Sequence, residues 1–176
     1  MKKEIFILTG RPGDGKTTIG KLLSQRDRVT YIEGDAQISL KGRQRLNNGT
    51  WSDVDRKEYL EATAEKATDF ASTDKPVLIA DCLTFPWMRQ FLIEKLVDLG
   101  FGRPLVNLVF VIRKLNETQI TEIANKRASE GHALEPEALK KFRDLFVPLD
   151  PKNEPHKILL NPGDGDLEKL LLIAIK

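Results

Sequence analysis

The sequence has a single cysteine, Cys82, among its 176 residues. One thiol closes no internal disulfide and builds no cysteine metal cage, so a reduced, cytoplasmic setting is expected. A strong charge of either sign is lacking too, since the formal net charge is +2. That argues against a nucleic-acid binder held by bulk charge and leaves only local basic sites. Long hydrophobic runs are also missing. The longest, residues 105–112, contains Asn107 and falls well short of the roughly 20 apolar residues that cross a bilayer, so no membrane partner is expected. Two lysines near the start precede only a short apolar run, Ile5-Phe6-Ile7-Leu8, which is too brief for a signal peptide. Internal repeats and low-complexity segments are absent. The length suits one domain over residues 1–176 with a sizeable core.

Three of the twelve glycines fall within eight residues near the start, in Gly10-Arg11-Pro12-Gly13-Asp14-Gly15-Lys16-Thr17. The run fits G-x-x-x-x-G-K-[ST], the phosphate-binding loop of nucleoside triphosphatases. Its setting fits as well: the apolar run before it reads as a buried strand, and Thr18-Ile19-Gly20-Lys21-Leu22-Leu23 opens a helix after it. Glycines 10, 13 and 15 would let backbone N–H groups close on phosphate oxygens, helped by the positive end of the helix. Lys16 would reach the β- and γ-phosphates, and Thr17 would hold Mg²⁺ through its hydroxyl. Thr18, the next residue, is grouped with the nucleotide site. ATP and Mg²⁺ are therefore the expected ligands.

Further along, residues 29–33 read as a second strand closed by Gly34-Asp35. A polar, basic stretch over 36–48 carries Lys41, Arg43 and Arg45, with Asn47-Asn48-Gly49 as its closing turn. Ser52 or Asp53 can cap a helix to about Ser72 that places Leu60, Ala64, Ala67 and Ala71 on one face. Residues 77–80 form a fully apolar strand ending at Asp81. The next helix bears Met88, Leu92, Leu96 and Leu99 and stops at Gly100. A fourth strand covers 105–112, and Ile120, Ile123 and Ala124 mark a helix that leads into a polar segment at 126–136. Another helix spans about 137–146 before Pro148 and Pro151, a fifth strand covers 157–160, and Asn161-Pro162-Gly163 turns the chain. Leu167, Leu170, Leu171, Ala174 and Ile175 line a last amphipathic helix. Strands alternating with helices predict an α/β fold: a five-stranded parallel sheet sandwiched by helices, as in P-loop NTPases. Ligands then sit at the strands' C-terminal ends, which deliver Gly10, Asp35, Asp81, Arg113 and Asn161 to one rim.

The type of phosphate-loop protein can be narrowed. No D-x-x-G occurs, and Asn125-Lys126-Arg127-Ala128 lacks the aspartate of N-K-x-D, which argues against a small GTPase. Motor-type ATPases usually run longer and end the Walker-B strand in an acidic pair, whereas Ala80-Asp81-Cys82 offers one acid. A compact kinase remains, with an acceptor-binding insert at about 36–72 and a lid at about 126–136.

Several segments resemble the gluconate kinases, close relatives of the shikimate kinases. Gly34-Asp35 looks like that family's G-D, and the run from Trp51 through Asp53, Asp55 and Arg56 to Leu60 is similar to its D-D-D-R-x-x-W-L. Arg127 with Gly131-His132 is similar to its lid, and Phe142, Leu145 and Pro148 match F-x-x-L-x-x-P. Departures fall where that family holds sugar acid: Ile38 replaces a histidine, and Cys82-Leu83-Thr84-Phe85-Pro86-Trp87-Met88 lacks the usual lysines.

The resemblance implies a phosphotransferase acting on a small hydroxyl compound, with gluconate the first expectation and shikimate or a nucleotide as alternatives. Asp35 would accept the acceptor's hydroxyl hydrogen bond, or else cap the following helix. Asp81 would bind Mg²⁺ through water or serve as a cap. Arg127 would close over the γ-phosphate or lie on a solvated helix face. Arg45 and Arg56 are candidates for an anionic acceptor, since guanidinium binds carboxylate or phosphate in bidentate fashion; surface charge is the competing reading. His132 is a lid residue by resemblance and otherwise a loop histidine. Trp51 and Trp87 either wall the acceptor pocket or pack in the core. Asn161 would pass its backbone beside adenine. A nucleotide-binding module with a lost or repurposed acceptor site is the rival class.

Overall fold

In the first strand, β1 (Ile5–Thr9), each residue is buried, as expected of a strand covered on both faces. It lies at the centre of a sheet ordered β2-β3-β1-β4-β5, with β2 at Thr30–Glu33, β3 at Val77–Ala80, β4 at Val106–Ile112 and β5 at Lys157–Leu160. All four pairings are parallel. The computed structural model describes residues 4–70, 72–129, 136–150, 152 and 157–160.

Period-two alternation splits the sheet's side chains between two layers. Ile5, Ile7, Val77 and Ile79 face α3 (Asp53–Thr68) and α4 (Pro86–Asp98), and pack with Leu60, Ala64, Leu92 and Leu96. Phe6, Leu8, Leu78, Ala80, Val109 and Val111 face the other way, onto Ile19 and Leu23 of α1 (Lys16–Gln25). Helix α3 starts with a capping box: Ser52 Oγ accepts from the Asp55 N–H, and Asp55 accepts from the Ser52 N–H at 2.9 Å. Helix α4 opens with Pro86 at its first turn, where a missing N–H costs nothing. Two further helices, α5 (Glu117–Ser129) and α6 (Pro136–Leu145), follow β4.

The structure departs from the sequence expectations at several boundaries. The polar stretch over 36–48 contains a helix, α2 (Leu40–Asn47), after a short 3₁₀ turn at Gly34–Gln37. Its apolar pattern is weak, since Leu40 is 76% exposed. Ser39 caps it, accepting from the Gly42 N–H at 3.1 Å, and Gly42 lets it approach Trp51 and Ile38. Helix α3 stops at Thr68, short of Ser72, and Leu105 belongs to a 3₁₀ turn (Arg103–Leu105) before β4. Helix α5 runs into the expected lid as far as Ser129. Residues 130–135, the turn at Asn161 and the last amphipathic helix lie outside the described residues. Among the described residues no helix is long and apolar enough to cross a membrane.

Candidate active site

The phosphate-binding loop leaves β1 through Gly10, whose φ is 152°. A Cβ there would meet the Val111 carbonyl oxygen of β4 at 2.2 Å, so only glycine lets the chain exit beside that strand. Gly15, at φ 94°, is the N-cap of α1 and offers no side-chain cap. The first N–H groups of that helix are thus not taken by a capping side chain, as an anion site requires. Lys16 folds across the loop, and its Nζ donates to the carbonyls of Gly10 and Arg11, both at 2.9 Å. Thr17 Oγ1 donates to Glu33 Oε1 at 3.2 Å.

Arg143 of α6 was not picked out from the sequence. It is buried beneath the loop, where it donates to the Pro12 carbonyl and, at 2.8 Å, to Asp14 Oδ1. Asp14 is itself buried. A carboxylate inside an anion-binding loop calls for a cation nearby; that was the available signal, although nothing in the sequence says which cation answers it.

Two cavities meet behind the loop. One, of about 500 Å³, is lined by Gly13, Gly15, Thr17 and Thr18 together with four cations, Lys16, Lys21, Arg113 and Lys126. The other, of about 230 Å³, is bordered by Ile38, Trp51, Phe85, Met88, Phe142 and Leu145. Pro12, Asp35, Asp81 and Cys82 border both.

The two aspartates reach this shared wall differently. Asp35 is exposed on the 3₁₀ turn after β2. The helix that follows is capped by Ser39. Asp81 is buried at the end of β3, and the next helix has Phe85 at its N-cap. Neither carboxylate is therefore a helix cap. Asp81 Oδ1 accepts from the Leu83 N–H at 3.3 Å and the Tyr59 hydroxyl at 3.4 Å. Its Oδ2 is buried with no hydrogen-bond partner among the described residues. Burial, reinforced by the negative charge of Asp35, pushes the Asp81 carboxyl up to about 7, against the Leu83 N–H and Lys16. Leu83 holds a strained φ of 39°. Its carbonyl accepts from Arg89 at 3.0 Å, and the Arg89 guanidinium lies buried over the rings of Phe110 and Phe146.

Of the expected acceptor cations, Arg56 lines the smaller cavity. It donates to Asp53 at 3.0 Å and lies over the Phe85 ring. Arg45 is not among the lining residues; it pairs with the buried Asp55. Arg43 lines the cavity instead. Trp51 is part of that wall, whereas Trp87 borders a separate surface hollow. Arg127 is on α5, with its side chain outside the described set, as is His132.

No protein-family model matches the chain, and no curated protein matches it. Solved structures do. A sugar kinase from Janibacter sp. HTCC2649 superposes with a TM-score of 0.69 at 22% identity, covering 98% of this chain and 92% of that one. The gluconokinase from Sinorhizobium meliloti 1021 gives 0.64 at 20%, over 98% and 89%. The APS kinase from Mycobacterium tuberculosis, solved with AMPPNP and APS, gives 0.65 at 19%, over 99% of both chains. The chain has the fold of the P-loop kinases. At these identities the likeness extends to the fold and stops there, so the acceptor must be argued from the cavity itself.

The donor set also suits magnesium. This ion needs only one or two protein oxygens beside phosphate and water. The Thr17 hydroxyl and the unpartnered Asp81 Oδ2 are both on residues of the larger cavity.

Proposed function

We propose that the chain is an ATP-dependent small-molecule kinase that moves the γ-phosphate of ATP to a hydroxyl group. The observation that carries this reading is the common wall: a cationic phosphate cavity and a smaller cavity of mixed apolar and polar lining share Asp35 and Asp81. Two substrates placed in these cavities meet at the carboxylates, and bringing reactants together is most of what phosphoryl transfer needs.

The phosphate loop binds the triphosphate through its backbone N–H groups, and Lys16 turns its ammonium from the loop carbonyls to the β- and γ-oxygens. Asp35 accepts a hydrogen bond from the acceptor hydroxyl and aims its oxygen at the γ-phosphorus. That oxygen bonds to phosphorus while the bond from phosphorus to the β,γ-bridging oxygen breaks. ADP leaves with the electron pair, and the hydroxyl proton passes to Asp35 and then to water. Thr17 and, through water, Asp81 would hold a magnesium ion, which would neutralise charge on the phosphate oxygens. Arg127 closes over the transferred group, consistent with its place on α5 next to the cavity-lining Lys126. The sequence resemblance suggests a sugar acid such as gluconate as acceptor.

The test is ADP release from Mg-ATP, alone and with a panel of sugar acids, cyclic hydroxy acids and nucleoside monophosphates. Asp35→Asn is expected to lower acceptor-dependent release by about 10²–10⁴-fold while ATP binding changes little. Full turnover by Asp35→Asn removes its assigned role. ATP binding with no acceptor-dependent release across the panel instead favours a nucleotide-binding module.

A further inference from the structure

Building on the kinase reading, through its assignment of Asp81 to magnesium, we propose that Thr9 is a positioning residue. Its hydroxyl sets, through one peptide unit, which oxygen of the Asp81 carboxylate is left open.

Strand β1 reads Ile5-Phe6-Ile7-Leu8-Thr9, and Thr9 is as fully buried as the apolar residues before it. A hydroxyl placed there destabilises the fold unless it is bonded, and valine has the same branched shape without that cost. The hydroxyl is bonded: Oγ1 donates to the Cys82 carbonyl at 2.8 Å. Backbone contact between β1 and β3 reaches as far as the Asp81 N–H, which donates to the Leu8 carbonyl at 3.0 Å. At Gly10 the chain turns off beside β4. The Thr9 side chain thus carries the contact one residue further, onto the turn after β3.

The Cys82 carbonyl and the Leu83 N–H belong to one rigid plane, so holding one end aims the other. The Leu83 N–H donates to Asp81 Oδ1 at 3.3 Å, and the Tyr59 hydroxyl donates to the same oxygen at 3.4 Å. Both donors are on Oδ1, while Oδ2 has no partner among the described residues. The next peptide is pinned as well, because the Leu83 carbonyl accepts from the buried Arg89 at 3.0 Å. The Leu83 φ of 39° lies between these two held planes, and strain of this kind persists only where its surroundings over-determine it. Without the Thr9 hydroxyl the torsion relaxes by turning the Cys82–Leu83 plane, since Arg89 still holds the other side. The N–H then leaves Oδ1, and the carboxylate loses its fixed orientation. Thr9 is not among the residues lining either cavity, so its effect passes through Asp81.

The test is calorimetric binding of a non-hydrolysable ATP analogue, in magnesium and in EDTA. The ratio of the two affinities is the magnesium-dependent tightening. In Thr9→Val this ratio is expected to fall about tenfold, with the affinity in EDTA unchanged within about twofold. Thr9→Ser, which keeps the hydroxyl, is expected to restore most of it. Asp81→Asn lowers the ratio by itself, and adding Thr9→Val is expected to lower it no further. Should the valine variant not fold, Thr9→Ala takes its place. An unchanged ratio without the hydroxyl overturns the proposal. So do equal losses in magnesium and EDTA, a loss that adds to that of Asp81→Asn, or a serine variant no better than valine. Acceptor-dependent ADP release with a ratio insensitive to Thr9 sinks this inference and leaves the kinase reading. A Thr9-dependent ratio with no acceptor-dependent release does the reverse.

Discussion

Replacing Arg143 with methionine tests how the phosphate loop is held from below. Both partners of the Arg143–Asp14 pair are nearly inaccessible, with side-chain exposures of 7% and 2%. Methionine fills much of the space but leaves the Asp14 carboxylate buried without its cation. Breaking a buried pair from one side costs about 3–5 kcal/mol, a large share of the roughly 5–15 kcal/mol that holds a typical domain together. The double variant Asp14→Asn/Arg143→Met removes both charges and is expected to regain most of that loss. Urea unfolding of the unaltered protein, the two single variants Arg143→Met and Asp14→Asn, and the double variant gives the coupling, expected above about 2 kcal/mol. Stability alone does not separate charge balance from loop shape, because Arg143 also holds the Pro12 carbonyl. ATP affinity does: it should stay weakened in the double variant even where stability returns. A loss below about 1 kcal/mol in Arg143→Met would refute the latch. Normal ATP affinity in the double variant would reduce it to charge balance.

Two further outcomes follow from the wall between the cavities. The Asp81 carboxyl titrates near 7 in the folded chain instead of near 3.8, so the native state binds the extra proton between those values. This group's contribution therefore makes stability fall as pH rises from about 4 to about 7. Asp81→Asn should flatten that slope and raise the unfolding temperature above pH 7; an unchanged slope in a thermal-melt series rejects the assignment. At Gly34, a Cβ would lie 2.1 Å from Asp81 Oδ2. Gly34→Ala should cost about 1–3 kcal/mol and lower acceptor-dependent turnover more than ATP affinity; equal losses in both assays would place the damage elsewhere.

Much of the nucleotide side was legible because its signals are local. A glycine-spaced loop between an apolar run and a helix needs no distant information. The acceptor side was harder. Arg43 and Arg45 are two residues apart in a basic stretch, and once α2 forms, such residues point to nearly opposite sides of the helix. The capping box orients Asp55 to take Arg45, which leaves Arg43 on the cavity, and neither choice can be read from composition. Helix α2 was missed because its apolar periodicity is weak, with a cap and a close glycine contact in its place. Arg143 was missed because its partners on the loop are more than a hundred residues away.

Helix α6 places Arg143 under the phosphate loop and the preceding residue, Phe142, in the acceptor wall. The two tasks are therefore phased by a single peptide unit. An inserted residue upstream in the helix would turn both side chains by about 100° together, so neither chamber can be re-aimed by sliding the helix without disturbing the other. A change of acceptor made through this helix is therefore expected to come through side-chain size at fixed register, because Arg143 ties that register to the nucleotide loop.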